Sequence, residues 1–427
     1  MNNKSNNPLL ERNLLPLFSR IKPQHISPAI DTILENNREK ILQIENFSGK
    51  LLWENFIEPL QKCDESLSRA WSQVNHLNAV LNSKDLRSEY NKNLLKITNY
   101  YSEISQNETI YKKFKQLKSS PEYKLFNDAK KKVVDDELLG FELGGVDLPA
   151  TKKSEYKRIK EELSSLTSKF EENLLDATNN FQLHITDPIK ISGLPEDIIV
   201  MVKNNAEQKN LNGWLFTLDF PCYIPTLQYA DDRELRKEMY HAYATKASDL
   251  GEPLLDNTKN INDILNLKSK LAKMLNYSDY AAMSLKTKMA KSSNDVTEFL
   301  YDLAFKAKSS AKKDMRDLSN EASKNGIKNI EAWDVAYFSE KIKQQKFNFS
   351  DQEIKNFFPK DKVLIGLFNI VEKIYNIYIT PKKADTWSNL VEFYEIRDED
   401  DNLIGQFYLD LYARKNKRGG AWMDEAI

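Results

Sequence analysis

The sequence predicts a mainly α-helical protein with a small antiparallel β-sheet near the C-terminal end of the chain. Three observations carry that prediction. Apolar residues recur at helical spacing along most of the 427 residues. Glycine is scarce, at 12 residues, which suits long helices joined by few tight turns. The strongest period-two alternation is confined to a stretch close to the end, Phe393–Arg414.

The elements follow in chain order. Ser27 then Pro28 reads as a helix start, a hydroxyl cap followed by a proline whose missing N–H is harmless in a first turn. Ile30, Ile33, Leu34, Ile41 and Ile44 then share one face. Tyr156, Ile159, Leu163, Leu166, Phe170, Leu174 and Ala177 step by three and four, a long amphipathic helix close to a coiled-coil seam. Leu267, Leu271, Met274 and Leu275 predict another helix. Val296, Phe299, Leu300 and Leu303 predict one more, entered through Ser292–Asp295. Trp214–Phe220 and Thr226–Tyr229 read as short strands. The clearer pair is Phe393–Ile396 and Gly405–Arg414, joined by the acidic turn Asp398–Asn402. In the second of these, Phe407, Leu409, Leu411 and Ala413 alternate with Tyr408, Asp410, Tyr412 and Arg414. Leu139–Pro149 and Lys246–Thr258 are expected to be loops.

Composition narrows the function. Lys+Arg is 62 and Asp+Glu is 63, a net charge of −1 that argues against a general grip on nucleic acid or anionic membrane. No run approaches the roughly 18 apolar residues of a membrane span. The nearest, Val363–Val371, contains Asn369. The N-terminal segment lacks the apolar stretch of a secretory signal. Two cysteines, Cys63 and Cys222, exclude a disulfide scaffold and suit a reducing, cytoplasmic setting.

Catalytic chemistry finds little footing. Neither cysteine has a histidine nearby in sequence, so both read as buried thiols. Nucleophile-elbow and phosphate-loop motifs are missing. A zinc helix needs two imidazoles at i and i+4, so that both face one ion. His25, His76, His184 and His241 are at least 51 residues apart. His76 reads as a packing residue. His241 points away from the face formed by Leu235, Met239 and Ala242. The basic cluster Arg414, Lys415, Lys417 and Arg418 reads most simply as a solvated turn.

FYLDLYARKNKRGGAWMDE (Phe407–Glu425) resembles the segment that precedes the zinc helix in the thimet-oligopeptidase family of zinc metallopeptidases, bacterial oligopeptidase A branch. Phe18–Ile30, Trp71–Ser83, Gly145–Pro149, Asn173–Phe181, Thr217–Asp249, Ser284–Ala290 and Ala332–Lys341 agree in the same order. The resemblance implies a long-helix, two-lobed channel architecture. It also implies a cytoplasmic zinc endopeptidase, monomeric at full length, that acts on short unfolded peptides and on neither nucleic acid nor membrane. Residues 1–150 would form an N-terminal helical region, 151–345 a helical channel lobe with a short β segment, and 346–427 the start of the catalytic region.

Members of that family carry His-Glu-x-x-His beyond the GGAW segment. The 427 residues contain no such motif. The chain is therefore expected to be the N-terminal three-fifths of such an enzyme, truncated before the zinc site. By itself it is expected to bind no zinc, to be inactive, and to expose apolar surface. No catalytic residue and no metal ligand carries over. Gly419, Gly420, Ala421 and Trp422 do carry over, as an edge strand that binds a substrate backbone. Two residues without Cβ let another main chain approach, and Ala421 and Trp422 line a subsite. From residue types alone, the segment reads as a structural turn with a core tryptophan. The alternatives are a non-catalytic helical scaffold that binds peptides or a partner, and one half of a split enzyme.

Overall fold

Helices account for most of the chain in the computed structural model, which describes residues 7–425. The first six residues of the N-terminal segment and Ala426–Ile427 lie outside the described residues. In chain order the helices begin with α1 (Pro23–Asn46), α2 (Glu58–Val80), α3 (Lys84–Ser105), α4 (Glu108–Lys118), α5 (Pro121–Leu125), α6 (Asp128–Leu143) and α7 (Ala150–Asn180). Strand β1 (Leu183–Ile185), α8 (Glu196–Glu207), β2 (Trp214–Phe216), α9 (Phe220–Tyr229) and α10 (Arg233–Thr245) follow. Then come α11 (Thr258–Met274), α12 (Tyr280–Leu285), α13 (Ser293–Lys324), α14 (Ala332–Phe347), α15 (Asp351–Lys355) and α16 (Lys360–Tyr375). The chain continues through β3 (Tyr378–Lys382), β4 (Glu392–Arg397) and β5 (Leu403–Leu409). The fold is mainly α, as expected. No helix among the described residues is long and apolar enough to cross a membrane.

The chain divides into two units, each discontinuous in sequence. One comprises Met1–Glu172, Asn257–Leu300 and Trp422–Ile427; the other comprises Asn173–Asp256 and Tyr301–Ala421.

In the first unit α1 packs on α2 and α3, burying Ile26, Ile30, Ile33 and Ile41. This helix starts at Pro23, earlier than the Ser27-Pro28 pair predicted. Pro23 occupies the first turn and the Lys22 N–H donates to His25 Nδ1 at 3.1 Å. The Ser27 hydroxyl donates to Glu89 on α3 at 2.6 Å instead of capping. Pro28 therefore sits inside the helix, at the loss of one helical hydrogen bond. Tyr156 and Ile159 of α7 bury against Leu271 of α11, as their spacing predicted. The expected loop at Leu139–Pro149 is shorter, because α6 runs on to Leu143.

The second unit is built around Ile198, Val202, Phe216, Tyr223, Leu235 and Met239, from α8, β2, α9 and α10. Thr226–Tyr229, read as a strand, is the last turn of α9. Pro221 sits in the first turn of that helix, and the Thr226 hydroxyl donates to the Cys222 carbonyl four residues back at 2.7 Å. Trp214–Phe220 is a strand only as far as Phe216, paired antiparallel with β1.

A buried charge cluster ties α10 to α14. The Asp334 carboxylate, fully buried, accepts from Arg233 Nη2 at 2.7 Å, Arg236 Nη2 at 3.0 Å and the Glu331 N–H at 3.0 Å. The three-stranded sheet runs β3-β4-β5, antiparallel throughout. Its β4–β5 turn is the predicted acidic one. The Asp398 carboxylate accepts from the N–H groups of Asp400 and Asn402, and Asp401 adopts φ +62°.

Candidate functional site

β5 ends at Leu409, five residues before the predicted limit at Arg414. Asp410 is the reason. Its Oδ2 accepts from Trp387 Nε1 at 2.9 Å and from Arg414 Nη2 at 2.7 Å, and its Oδ1 accepts from Arg414 Nη1 at 2.6 Å. Lys417 Nζ lies 3.0 Å from the same Oδ1. That ammonium also donates to the carbonyl oxygens of Asp410 at 2.7 Å and Tyr412 at 2.9 Å, acceptors a longer strand would have used on its ladder. Two members of the basic cluster are therefore bound to one carboxylate rather than forming a solvated turn. Burial pushes the Asp410 carboxyl up, but hydrogen bonds from Arg414, Trp387 and Lys417 outweigh it and hold it at about 2. Trp387 is buried and packs on Tyr408, with ring centroids 5.3 Å apart.

This clamp fixes the segment that leads into the predicted site. Asn416 at φ +64° and Gly420 at φ +92° then turn the backbone through the left-handed region. Gly420 is thus required by conformation, since an L side chain is strained there. Gly419 is not held by φ, and a Cβ on either glycine would meet nothing within 4 Å. Gly419, Gly420 and Ala421 are exposed and form no strand. The edge strand implied by the resemblance is therefore not formed among the described residues, and a Cβ at either glycine would point into open space. Trp422 belongs to the first unit. Its ring lies 5.8 Å from that of His76, which also packs 5.4 Å from Phe18.

Each histidine has its own local setting. His25 Nδ1 accepts from the Lys22 N–H, and His76 packs at a tilt against Phe18 and Trp422. His184 Nε2 is 2.6 Å from the Asn212 carbonyl, and His241 is exposed on α10. Among the described residues no three His, Cys, Asp or Glu side chains are gathered so as to hold a metal ion. The described donors by themselves do not gather into a zinc site. Both cysteines are buried and free, and burial pushes both thiols up, away from nucleophilic use.

A cavity of about 1010 Å³ in the first unit is lined by Cys63, Asp64, Tyr101, Glu137 and Lys160, among others. Partial desolvation at the cavity wall pushes the Glu137 carboxyl up and the Lys160 ammonium down, although both residues remain exposed. Tyr101 donates to Asp64 at 2.9 Å. The second unit holds a cavity of about 1040 Å³ beside α15. Neither is lined by Gly419–Trp422. Sequence reasoning missed the Asp410 cluster. Its one signal was the spacing of Asp410 and Arg414, while Trp387 lies on a separate segment that no spacing connects.

Comparison with known proteins places the chain in a family. The profile of peptidase family M3 matches residues 226–427, and that of the neurolysin/thimet oligopeptidase N-terminal domain matches residues 30–153. The chain belongs to the thimet-oligopeptidase family of metallopeptidases. Within it the similarity is to the oligopeptidase A branch. Oligopeptidase A of Escherichia coli (strain K12) is 41% identical over 425 residues, covering 99% of this chain and 62% of the relative. Oligopeptidase A of Haemophilus influenzae is likewise 41% identical, with the same coverage. The organellar oligopeptidase A of Arabidopsis thaliana is 34% identical, covering 99% of this chain and 54% of the relative. The chain thus spans less than two thirds of the length of these relatives.

Proposed function

We propose that this chain is the N-terminal part of a cytoplasmic, zinc-dependent oligopeptidase that hydrolyses short unfolded peptides. The carrying observation is 41% identity to oligopeptidase A across nearly the whole chain. The zinc ligands and the general base would lie outside these 427 residues, a reading supported by the scattered histidines. Gly419–Trp422 would supply substrate contacts. Main-chain N–H and C=O groups at Gly419–Ala421 bind any extended peptide without reading its side chains, and Trp422 adds an apolar wall. The absence of clashes around both glycines supports this, because a second backbone can approach them. A peptide-binding scaffold without catalysis is the second reading, favoured by the exposure of Gly419, Gly420 and Ala421.

Calorimetric titration of the purified chain with a short unstructured peptide tests the binding part. Binding lost in Trp422→Ala and Gly420→Val is expected; no binding by a folded, monodisperse chain overturns it. Metal analysis tests the other part. Stoichiometric zinc on the purified chain would show that the ligands are present after all. Cleavage of a quenched fluorescent peptide is expected only when the polypeptide that completes the relatives is supplied.

A further inference from the structure

We propose that the outward face of α16 docks an amphipathic helix from the part of the oligopeptidase polypeptide that lies outside these 427 residues. The inference rests on the reading of the chain as the N-terminal part of such an enzyme.

α16 carries two apolar stripes. On one, Leu364, Phe368 and Val371 are half-buried, and the Phe368 ring lies 5.0 Å from Tyr394 and 6.1 Å from Phe407 of the sheet. On the other, Val363, Leu367, Ile370 and Ile374 step by 4, 3 and 4, yet they are 43 to 68% exposed. An ordinary surface helix turns polar side chains to water on that side. A run of steps of four and three is the seam of helix-on-helix packing, in which each side chain enters a gap on a second helix. No residue of this 16-residue helix is buried, although most are apolar.

The part of α13 beyond Leu300, which lies in the same unit, repeats the pattern. Ala304, Ala307, Ala311, Met315, Leu318 and Ala322 step by three and four. Leu318 and Ala322 are buried in a cluster with Phe338 of α14, while Ala304, Ala307, Ala311 and Met315 face open space. One stripe is thus used at one end and bare at the other. Two helices with unfilled seams need helical partners, and the relatives have chain to supply them. More than a third of E. coli oligopeptidase A lies outside its match to this chain.

The test is co-expression of the 427-residue chain with the E. coli oligopeptidase A polypeptide that lies outside the match. Association is measured by sedimentation, and the footprint by hydrogen exchange. Leu367→Asp with Ile370→Asp is the disrupting variant, and Lys373→Asp is the control. Both targets are exposed, so an unchanged circular dichroism spectrum and melting curve will show that the fold is kept. The double variant should weaken association by about 100-fold, and the control by less than about threefold. Exchange should slow across Val363–Ile374 only in the complex. Equal association by the double variant overturns the proposal, as does the absence of any soluble complex. Self-association of the chain that the double variant abolishes also overturns it, since the occupant is then a second copy. The two proposals fail separately. A complex that forms through α16 but cleaves no peptide leaves this one standing and removes the function. A complex that cleaves peptide but assembles normally with the double variant does the reverse.

Discussion

Replacing Asp334 by alanine should destabilise the second unit more than any surface change. The carboxylate is fully buried, and Arg236, one of its partners, is 1% exposed. Arg236 retains the Ala230 carbonyl at 2.8 Å and the Asp231 carbonyl at 3.2 Å, but it loses the full negative charge of Asp334. Removing one partner of a buried pair strands the other, and the loss is about 3–5 kcal/mol. Against a typical total of about 5–15 kcal/mol, that is a large share. Asp334→Asn keeps the shape and one acceptor and should lose less. Asp334→Leu combined with Arg236→Met should recover most of the loss, because two apolar side chains need no desolvation of charge. Urea unfolding followed by fluorescence of Trp333, the residue before Asp334, reads the local transition. Asp302→Asn, which removes the exposed partner of Lys306, serves as a control and should change stability by less than about 1 kcal/mol. A loss below about 1 kcal/mol in Asp334→Ala would refute the argument, because the cluster would then contribute no more than a surface pair.

Four further outcomes are expected. Burial opposes ionisation of Asp410, yet its hydrogen bonds hold it at about 2, so its contribution is complete above its usual pKa near 4. That contribution, about 2 kcal/mol, is lost as the pH falls through about 2, and NMR titration of the Asp410 carboxyl carbon should show the low midpoint. Asp410→Asn should speed hydrogen exchange across Leu411–Gly420, while the exchange of β4 stays slow. Gly420→Val should destabilise the local turn by about 1–2 kcal/mol because its φ is +92°, whereas Gly419→Ala should be tolerated; exchange of the Ala421 N–H separates the two. Cys63 and Cys222 should resist thiol reagents in the folded chain and both react in denaturant, since each is buried with its thiol pushed up.

Much of this protein was legible in one dimension. The helical class, the α7 seam and the acidic β4–β5 turn follow from local periodicity and turn chemistry, which act over a few residues. The errors came where contacts over long sequence separations decided. Ser27 looked like a cap until Glu89, 62 residues on, took its hydroxyl. The alternation through Arg414 was real, but Trp387 and Lys417 converge on Asp410 and end the strand earlier. The charge cluster on Asp334 gave no signal, since Arg233 and Arg236 lie about a hundred residues back on α10. Pattern reports which side of an element is apolar. Only tertiary packing decides whether that side is covered, as the filled and bare stripes of α16 show, because covering it requires another element to arrive from elsewhere in the polypeptide.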